Sequence, residues 1–248
     1  MILLDLDEDS FLNIVLFLDS NSWAKVLATC KQFNEYKKEF RANSNKVFKV
    51  NKNANLEDMV SAFVGDFRNL NIDAADYDRI TDKVLSKFIN VHSLSISGCH
   101  RITDMGVAHL SGVHTLSISN CSRLTNTGLA YLSNVHKLSI KHCVRLTNAG
   151  LEHLSNIYNL NISECDWITD KGLVHLSGVH DLSISHCHNI TGKGFVYLSN
   201  LHTFNVSHCN RITDEGIAHL IDIHALNVRE CSRVSIKRLK CLKNLVRM

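Results

Sequence analysis

Seven of the nine cysteines in this 248-residue chain stand at one interval: Cys99, Cys121, Cys143, Cys165, Cys187, Cys209 and Cys231, each 22 residues after the last. A fixed period of that length constrains the fold more than any other feature, because each period is one supersecondary unit that must stack on near-identical neighbours to bury its apolar face. Other columns keep the same period. Leu94, Leu116, Leu138, Leu160, Leu182, Phe204 and Leu226 open the units, with Ile96, Ile118, Ile140, Ile162, Ile184, Val206 and Val228 two residues later. Past the cysteine come Ile102, Leu124, Leu146, Ile168, Ile190, Ile212 and Val234, then a threonine column running from Thr103 to Thr213 and ending in Ser235. A glycine column follows (Gly106 to Gly216, broken by Arg238), and a leucine column from Leu110 to Leu242 closes the unit.

The hydrophobic spacing changes inside each unit. Residues 94–99, LSISGC, alternate apolar and small polar residues, the period of a strand. From Ile102 to Leu110 the apolar residues fall at helical spacing, with Thr103 placed as an N-cap and Asp104 suited to the first turn. Each unit is therefore one short strand, a turn, a short helix and a return. Two weaker units precede the seven: Phe48 and Val50 stand 22 residues before Leu70 and Ile72, and Ile80-Thr81-Asp82 stands 22 before Ile102-Thr103-Asp104. The expectation is an α/β repeat domain over residues 47–248 with about nine repeats, the first two degenerate.

The repeated pattern LxLxxCxxITDxGLxxL resembles the cysteine-containing class of leucine-rich repeats. That resemblance implies a right-handed curved solenoid, with parallel strands on the concave face and short helices on the convex face.

Residues 1–46 do not share the period. Their apolar positions, among them Leu6, Phe11, Ile14, Leu18, Trp23, Val26 and Leu27, suit two or three amphipathic helices. A module of this size exposes more apolar surface than it can bury alone. The run Leu6-Asp7-Glu8-Asp9-Ser10-Phe11-Leu12-Asn13-Ile14-Val15-Leu16-Phe17-Leu18, with Thr29-Cys30-Lys31-Gln32-Phe33 after it, resembles the F-box pattern LPxExLxxIfxyL followed by VCkxW/F. It departs from the pattern at Asp7, where the family has proline, and at Asp9 and Thr29; the whole chain contains no proline. An F-box directly before such repeats is the layout of F-box/leucine-rich-repeat proteins. The resemblance implies that Leu6, Asp7, Phe11, Ile14, Leu18, Trp23 and Val26 dock on a Skp-type adaptor, and through it on a cullin–RING ubiquitin ligase, while the repeats hold a target protein. Asp7 keeps a second reading open: a stand-alone protein-binding module whose N-terminal helices only cap the solenoid, as repeat arrays require.

The cysteine column invites a metal or redox interpretation, but zinc gathers four ligands around one point, whereas these cysteines lie in a line. A small buried residue beneath the strand is the expected role, since free cysteine is among the most buried residue types. No metal and no cofactor is expected. Histidines form columns too: His92, His114, His136, His180, His202 and His224, with Tyr158 in the missing place. Duplication of a repeat explains them without a shared chemistry. Arg101, Arg123, Arg145, Arg211 and Arg233 form a basic stripe interrupted by Trp167 and Asn189. A net charge of +3 is too small for a nucleic-acid groove, so a solvated or partner-binding rim is expected and no nucleic acid.

Target contacts are sought at positions that differ between repeats, because packing fixes the core columns. The positions on either side of the cysteine vary most, and Trp167 is an amphipathic anchor of the kind that dominates interfaces. The candidate patch is Lys141, His142, Glu164, Asp166, Trp167, His186 and His188. No P-loop, GxGxxG, GxSxG or HExxH motif occurs, so no enzyme activity is expected. The N-terminus lacks the basic start and apolar run of a secretory signal, and no stretch is apolar enough for a membrane span. With an odd cysteine count, this points to reduced thiols in the cytoplasm or nucleus and no membrane partner.

Overall fold

Alternating leucine and isoleucine with serine can bury one face of a strand and wet the other, and the strand Ser93–Ser97 does so at every second residue. The structure, a computed structural model, describes residues 47–49, 71–74, 80–89, 91–98, 100–240, 242 and 246–247. Residues 1–46, including Leu6, Asp7, Phe11, Ile14, Leu18, Trp23 and Val26 of the expected F-box-like module, and Cys99 of the cysteine column lie outside the described residues.

Ten strands follow one another along the chain: β1 (Val47–Lys49), β2 (Asn71–Ala74), β3 (Ser93–Ser97), β4 (Thr115–Ser119), β5 (Lys137–Ser139), β6 (Asn159–Asn161), β7 (Asp181–Ser183), β8 (Thr203–Asn205), β9 (Ala225–Asn227) and β10 (Val246–Arg247). They form one parallel sheet in chain order. The period sets the register, so Leu94 lies opposite Leu116, Leu116 opposite Leu138 and Leu138 opposite Leu160. Two details differ from the sequence expectation. Phe48 pairs with Ile72 rather than Leu70, and Ile72 pairs with Leu94, so the first turn carries two extra residues. A tenth strand, β10, pairs with β9 through Val246 and Ala225 and extends the sheet past the last recognisable unit.

On the far side of each turn the chain forms one turn of helix. Asp104–Ala108 and Asn126–Ala130 are α-helical, whereas Gly172–Leu176 and Lys193–Tyr197 tighten to 3-10 geometry. Helices this short do not hold themselves. Burial of Val107, Leu129, Leu151, Leu173, Phe195 and Ile217 fixes them from inside, and a further column, Val91 to Ile223, seals the return. Phe204 replaces leucine in the strand column and meets Phe195 of the preceding turn edge-on, with ring centroids 4.9 Å apart.

Threonines at the helix starts tie one turn to the next. Thr103 accepts from the Met105 N–H at 3.2 Å, and its own N–H and hydroxyl both donate to Asp82 of the preceding turn, at 2.8 and 2.6 Å. Asp104 repeats this with Thr125 and Asp170 with Thr191, whereas Asn126 and Asn148 accept the N–H of Thr147 and Thr169 on Oδ1 and donate Nδ2 to their hydroxyls. The acid or amide after each threonine is therefore a staple to the next turn, not only a complement to its own helix dipole. The glycine column makes room for it: a Cβ on Gly172 would sit 2.6 Å from Asn148 Oδ1.

Candidate functional site: the loop edge of the sheet

Between strand and cysteine the chain must turn sharply, and it does so with one residue in the left-handed region. Gly98 has φ +65°, and Asn120, His142, Glu164, His186, His208 and Glu230 have φ between +52° and +62°. Only glycine takes this conformation freely, and asparagine tolerates it. Neighbouring turns lock it in place. The N–H of His142 donates to the Ser163 carbonyl at 3.0 Å, Glu164 to Ser185 at 2.9 Å, His186 to Ser207 at 3.0 Å and His208 to Arg229 at 2.8 Å. The side chains of this column thus project as a row at the repeat of adjacent strands, about 4.8 Å apart.

The candidate patch falls on three successive turns of this edge. Lys141, His142 and Glu164 are exposed, and His142 Nδ1 lies 3.5 Å from Glu164 Oε2. Asp166 is exposed and its carbonyl accepts from Asn189 Nδ2 at 2.7 Å. Trp167 is 65% exposed, far from the burial an indole seeks, and Val144 of the preceding turn is exposed as well. His186 and His188 meet edge to face at 6.2 Å. Two further members of the row, His208 and Glu230, were not among the predicted patch. His208 stacks on His186 with centroids 4.2 Å apart and an interplanar angle of 8°. Their position one and two periods beyond His186 was the available signal.

Beneath the edge lie the cysteines. Cys121, Cys143, Cys165, Cys187, Cys209 and Cys231 are buried. Cys165 donates to the Ile140 carbonyl at 3.4 Å, Cys187 to Ile162 at 3.3 Å, Cys209 to Ile184 at 3.1 Å and Cys231 to Val206 at 3.1 Å, each carbonyl belonging to the preceding turn. Burial pushes the Cys143 and Cys187 thiols up to about 11, and those of Cys165 and Cys209 up to about 12. Neutral, hydrogen-bonded thiols are neither nucleophiles nor ready metal ligands, so their role is to tie turns together. Among the described residues no group of three or more His, Cys, Asp or Glu side chains could hold a metal ion.

At the opposite end of the strands the histidine column is a stack. His92, His114, His136, Tyr158, His180, His202 and His224 follow one another with centroids 4.4–4.9 Å apart. Partial burial, and then the neighbouring His92, His136 and Lys137, lower the pKa of His114. No helix among the described residues is long and apolar enough to cross a membrane.

The family profile described as Leucine Rich repeat matches residues 158–177 and 197–220, two stretches of the stacked turns. The matched turns are leucine-rich repeats. Solved structures carry the same fold. A chain of the yeast Rad7–Elc1 complex is 16% identical with a TM-score of 0.58, covering 81% of this chain and 66% of its own length. The leucine-rich repeat domain of the type III effector XCV3220 (XopL) is 14% identical with a TM-score of 0.53, covering 96% of this chain and 94% of that one. A chain of the Drosophila Toll–Spatzle complex is 12% identical with a TM-score of 0.58, covering 74% of this chain and 27% of that one. This protein spans just under two thirds of the yeast chain. No curated protein matches the sequence. The loop edge is one part of these turns whose side chains differ from turn to turn.

Proposed function

We propose that the leucine-rich repeats bind a target protein along this loop edge, and that the chain is the substrate-recognition adaptor of an SCF-type ubiquitin ligase. The observation that carries the binding role is the strained row. Each of His142, Glu164, His186, His208 and Glu230 holds a large polar side chain at positive φ, where glycine, used at Gly98, fits freely. Non-glycine residues in that conformation cost about 1–2 kcal/mol each. Strain kept at successive positions marks a surface whose side chains are used. Trp167 supplies the apolar anchor, and Lys141, His142, Glu164 and Asp166 around it supply charge complementarity.

The ligase role is supported by the F-box pattern of Leu6 to Leu18 and Thr29 to Phe33, placed directly before the repeats. In that arrangement Leu6, Asp7, Phe11, Ile14, Leu18, Trp23 and Val26 meet the Skp-type adaptor. The fold occurs in a two-protein assembly, the yeast Rad7–Elc1 complex. Asp7 in the place of proline favours the second reading, a stand-alone binding module.

Two experiments test the two halves. The full chain is expected to co-purify with a Skp-type adaptor and to lose it on Ile14→Asp or Leu18→Asp. Failure of the intact chain to bind the adaptor leaves the stand-alone module. Trp167→Ala combined with Glu164→Lys and Asp166→Lys is expected to abolish target capture; undiminished capture moves the target site elsewhere.

A further inference from the structure

One staple in the stack is missing. An acid or amide reaches forward from Asp82, Asp104, Asn126, Asn148 and Asp170 to the threonine of the next turn, and from Asp214 to the Ser235 N–H at 2.7 Å. The equivalent position before Thr213 is Gly192, which has no side chain to offer. Its backbone swings to φ +98°, and a Cβ on Gly216 would meet its Cα at 2.7 Å. The inner part of the gap is thus closed by main chain, and the space opens outward.

That space is a cavity of about 370 Å³ lined by Thr191, Lys193, Arg211, Thr213, His219 and Arg233. Glu215 is the single carboxylate on its wall, against three permanent cations. Asp214, next in sequence, is turned to Ser235 instead. Asn189 Oδ1 accepts from Arg211 Nη1 at 3.3 Å, which steadies that guanidinium. Lys193 and Arg233 are exposed, and no acid of the preceding turn reaches Thr213.

We propose that this cavity binds a phosphate group, either as the free anion or as a monoester. Two guanidiniums and an ammonium around one space suit a group carrying more than one negative charge, and Arg offers its donors as a fork matched to phosphate oxygens. The hydroxyl of Thr213 supplies a further donor beside the cations, while that of Thr191 already donates to Asp170 at 2.8 Å. Elsewhere in the stack the chain places its own carboxylate or amide oxygen at the threonine; here the acceptor comes from outside. Target binding along the row at His142–Glu230 is not required for this site.

Calorimetric titration of the full chain with inorganic phosphate and with phosphoserine, at constant ionic strength set with chloride, tests the site. Saturable binding of one equivalent is expected. Lys193→Gln and Arg233→Gln are each expected to weaken it about tenfold or more, the loss of one charge-assisted contact. Both side chains are exposed, and an unchanged far-ultraviolet spectrum shows that the variants fold. Arg123→Gln, in the same arginine column but remote from the cavity, leaves binding unchanged. Tighter binding of phosphoserine than of inorganic phosphate identifies an ester carried on another molecule; the reverse identifies the free anion. No binding beyond that of chloride, or binding indifferent to Lys193→Gln and Arg233→Gln, overturns the proposal.

Discussion

Replacing Asp104 with alanine removes the staple between two turns and nothing else of the core. The Thr125 N–H loses its acceptor at 2.8 Å and the Thr125 hydroxyl its acceptor at 2.6 Å. A hydrogen bond to a charged group contributes about 1.5–3 kcal/mol, which sets a gross loss of about 3–6 kcal/mol for the pair. Both residues are only half buried, so water takes over part of what is lost. The expected net destabilisation is about 2 kcal/mol. Asp104→Asn behaves differently, because the chain already uses that chemistry one turn later. Asn126 accepts the Thr147 N–H at 2.9 Å and donates to the Thr147 hydroxyl at 2.8 Å. Its loss is therefore under about 1 kcal/mol. Urea unfolding of the full chain, followed by far-ultraviolet circular dichroism, measures both, provided the slope of the transition is unchanged. Thr125→Val completes a double-mutant cycle with Asp104→Ala, with an expected coupling of about 1–2 kcal/mol. A neutral Asp104→Ala, or an Asp104→Asn as damaging as alanine, would refute the staple.

Three further outcomes follow from the same geometry. Gly172→Ala sets a Cβ 2.6 Å from Asn148 Oδ1 and 2.9 Å from Leu151 Cδ1, and is expected to cost about 1–3 kcal/mol, whereas Gly112→Ala, 3.6 Å from the nearest atom, is tolerated in the same melts. At Glu230, φ +59°, glycine relieves about 1–2 kcal/mol of strain but restores about 0.5–1 kcal/mol of freedom to the unfolded chain, so Glu230→Gly is neutral to slightly stabilising while Glu230→Val is destabilising; denaturant midpoints that rank valine at or above glutamate would count against a strained turn. Alkaline titration reads the thiols: folding raises Cys165 and Cys209 from 9.0 to about 12, so their contribution is complete below pH 9 and is lost as pH rises from 9 through 12. The melting temperature in reductant should fall over that window, and less so in Cys165→Ala/Cys209→Ala; equal slopes would show that the thiols do not drive the change.

Much of the loop edge was legible before any coordinates. Lys141, His142, Glu164, Asp166, Trp167, His186 and His188 stand in columns that vary between repeats, and the structure sets all seven on adjacent turns, exposed or half-buried. The left-handed backbone under His142, Glu164 and His186 was not legible, because histidine and glutamate carry no sequence mark of positive φ; only Gly98 and Asn120 in that column hint at it. The phosphate cavity is marked in the sequence only by Gly192, the one break between Asp82 and Asp214 in a column of Asp and Asn, and within one repeat that column reads as a local helix feature. Its forward reach to the next turn is a contact between residues 21 apart, which no local propensity reports.

The 22-residue period by itself determined the strand-turn-helix unit and, from β2 to β9, the register, because a repeated unit with one apolar face can bury it only against its own copy in the same alignment. It also determined which columns face inward, since the apolar spacing allows one solution for strand and helix together. What only the tertiary structure decided is the chemistry between copies: the thiols donate to carbonyls one turn back, the acids staple threonines one turn forward, and Gly192 leaves a gap that cations surround. These depend on distances of a few ångströms between turns, and the sequence records which residues recur but not which atoms meet.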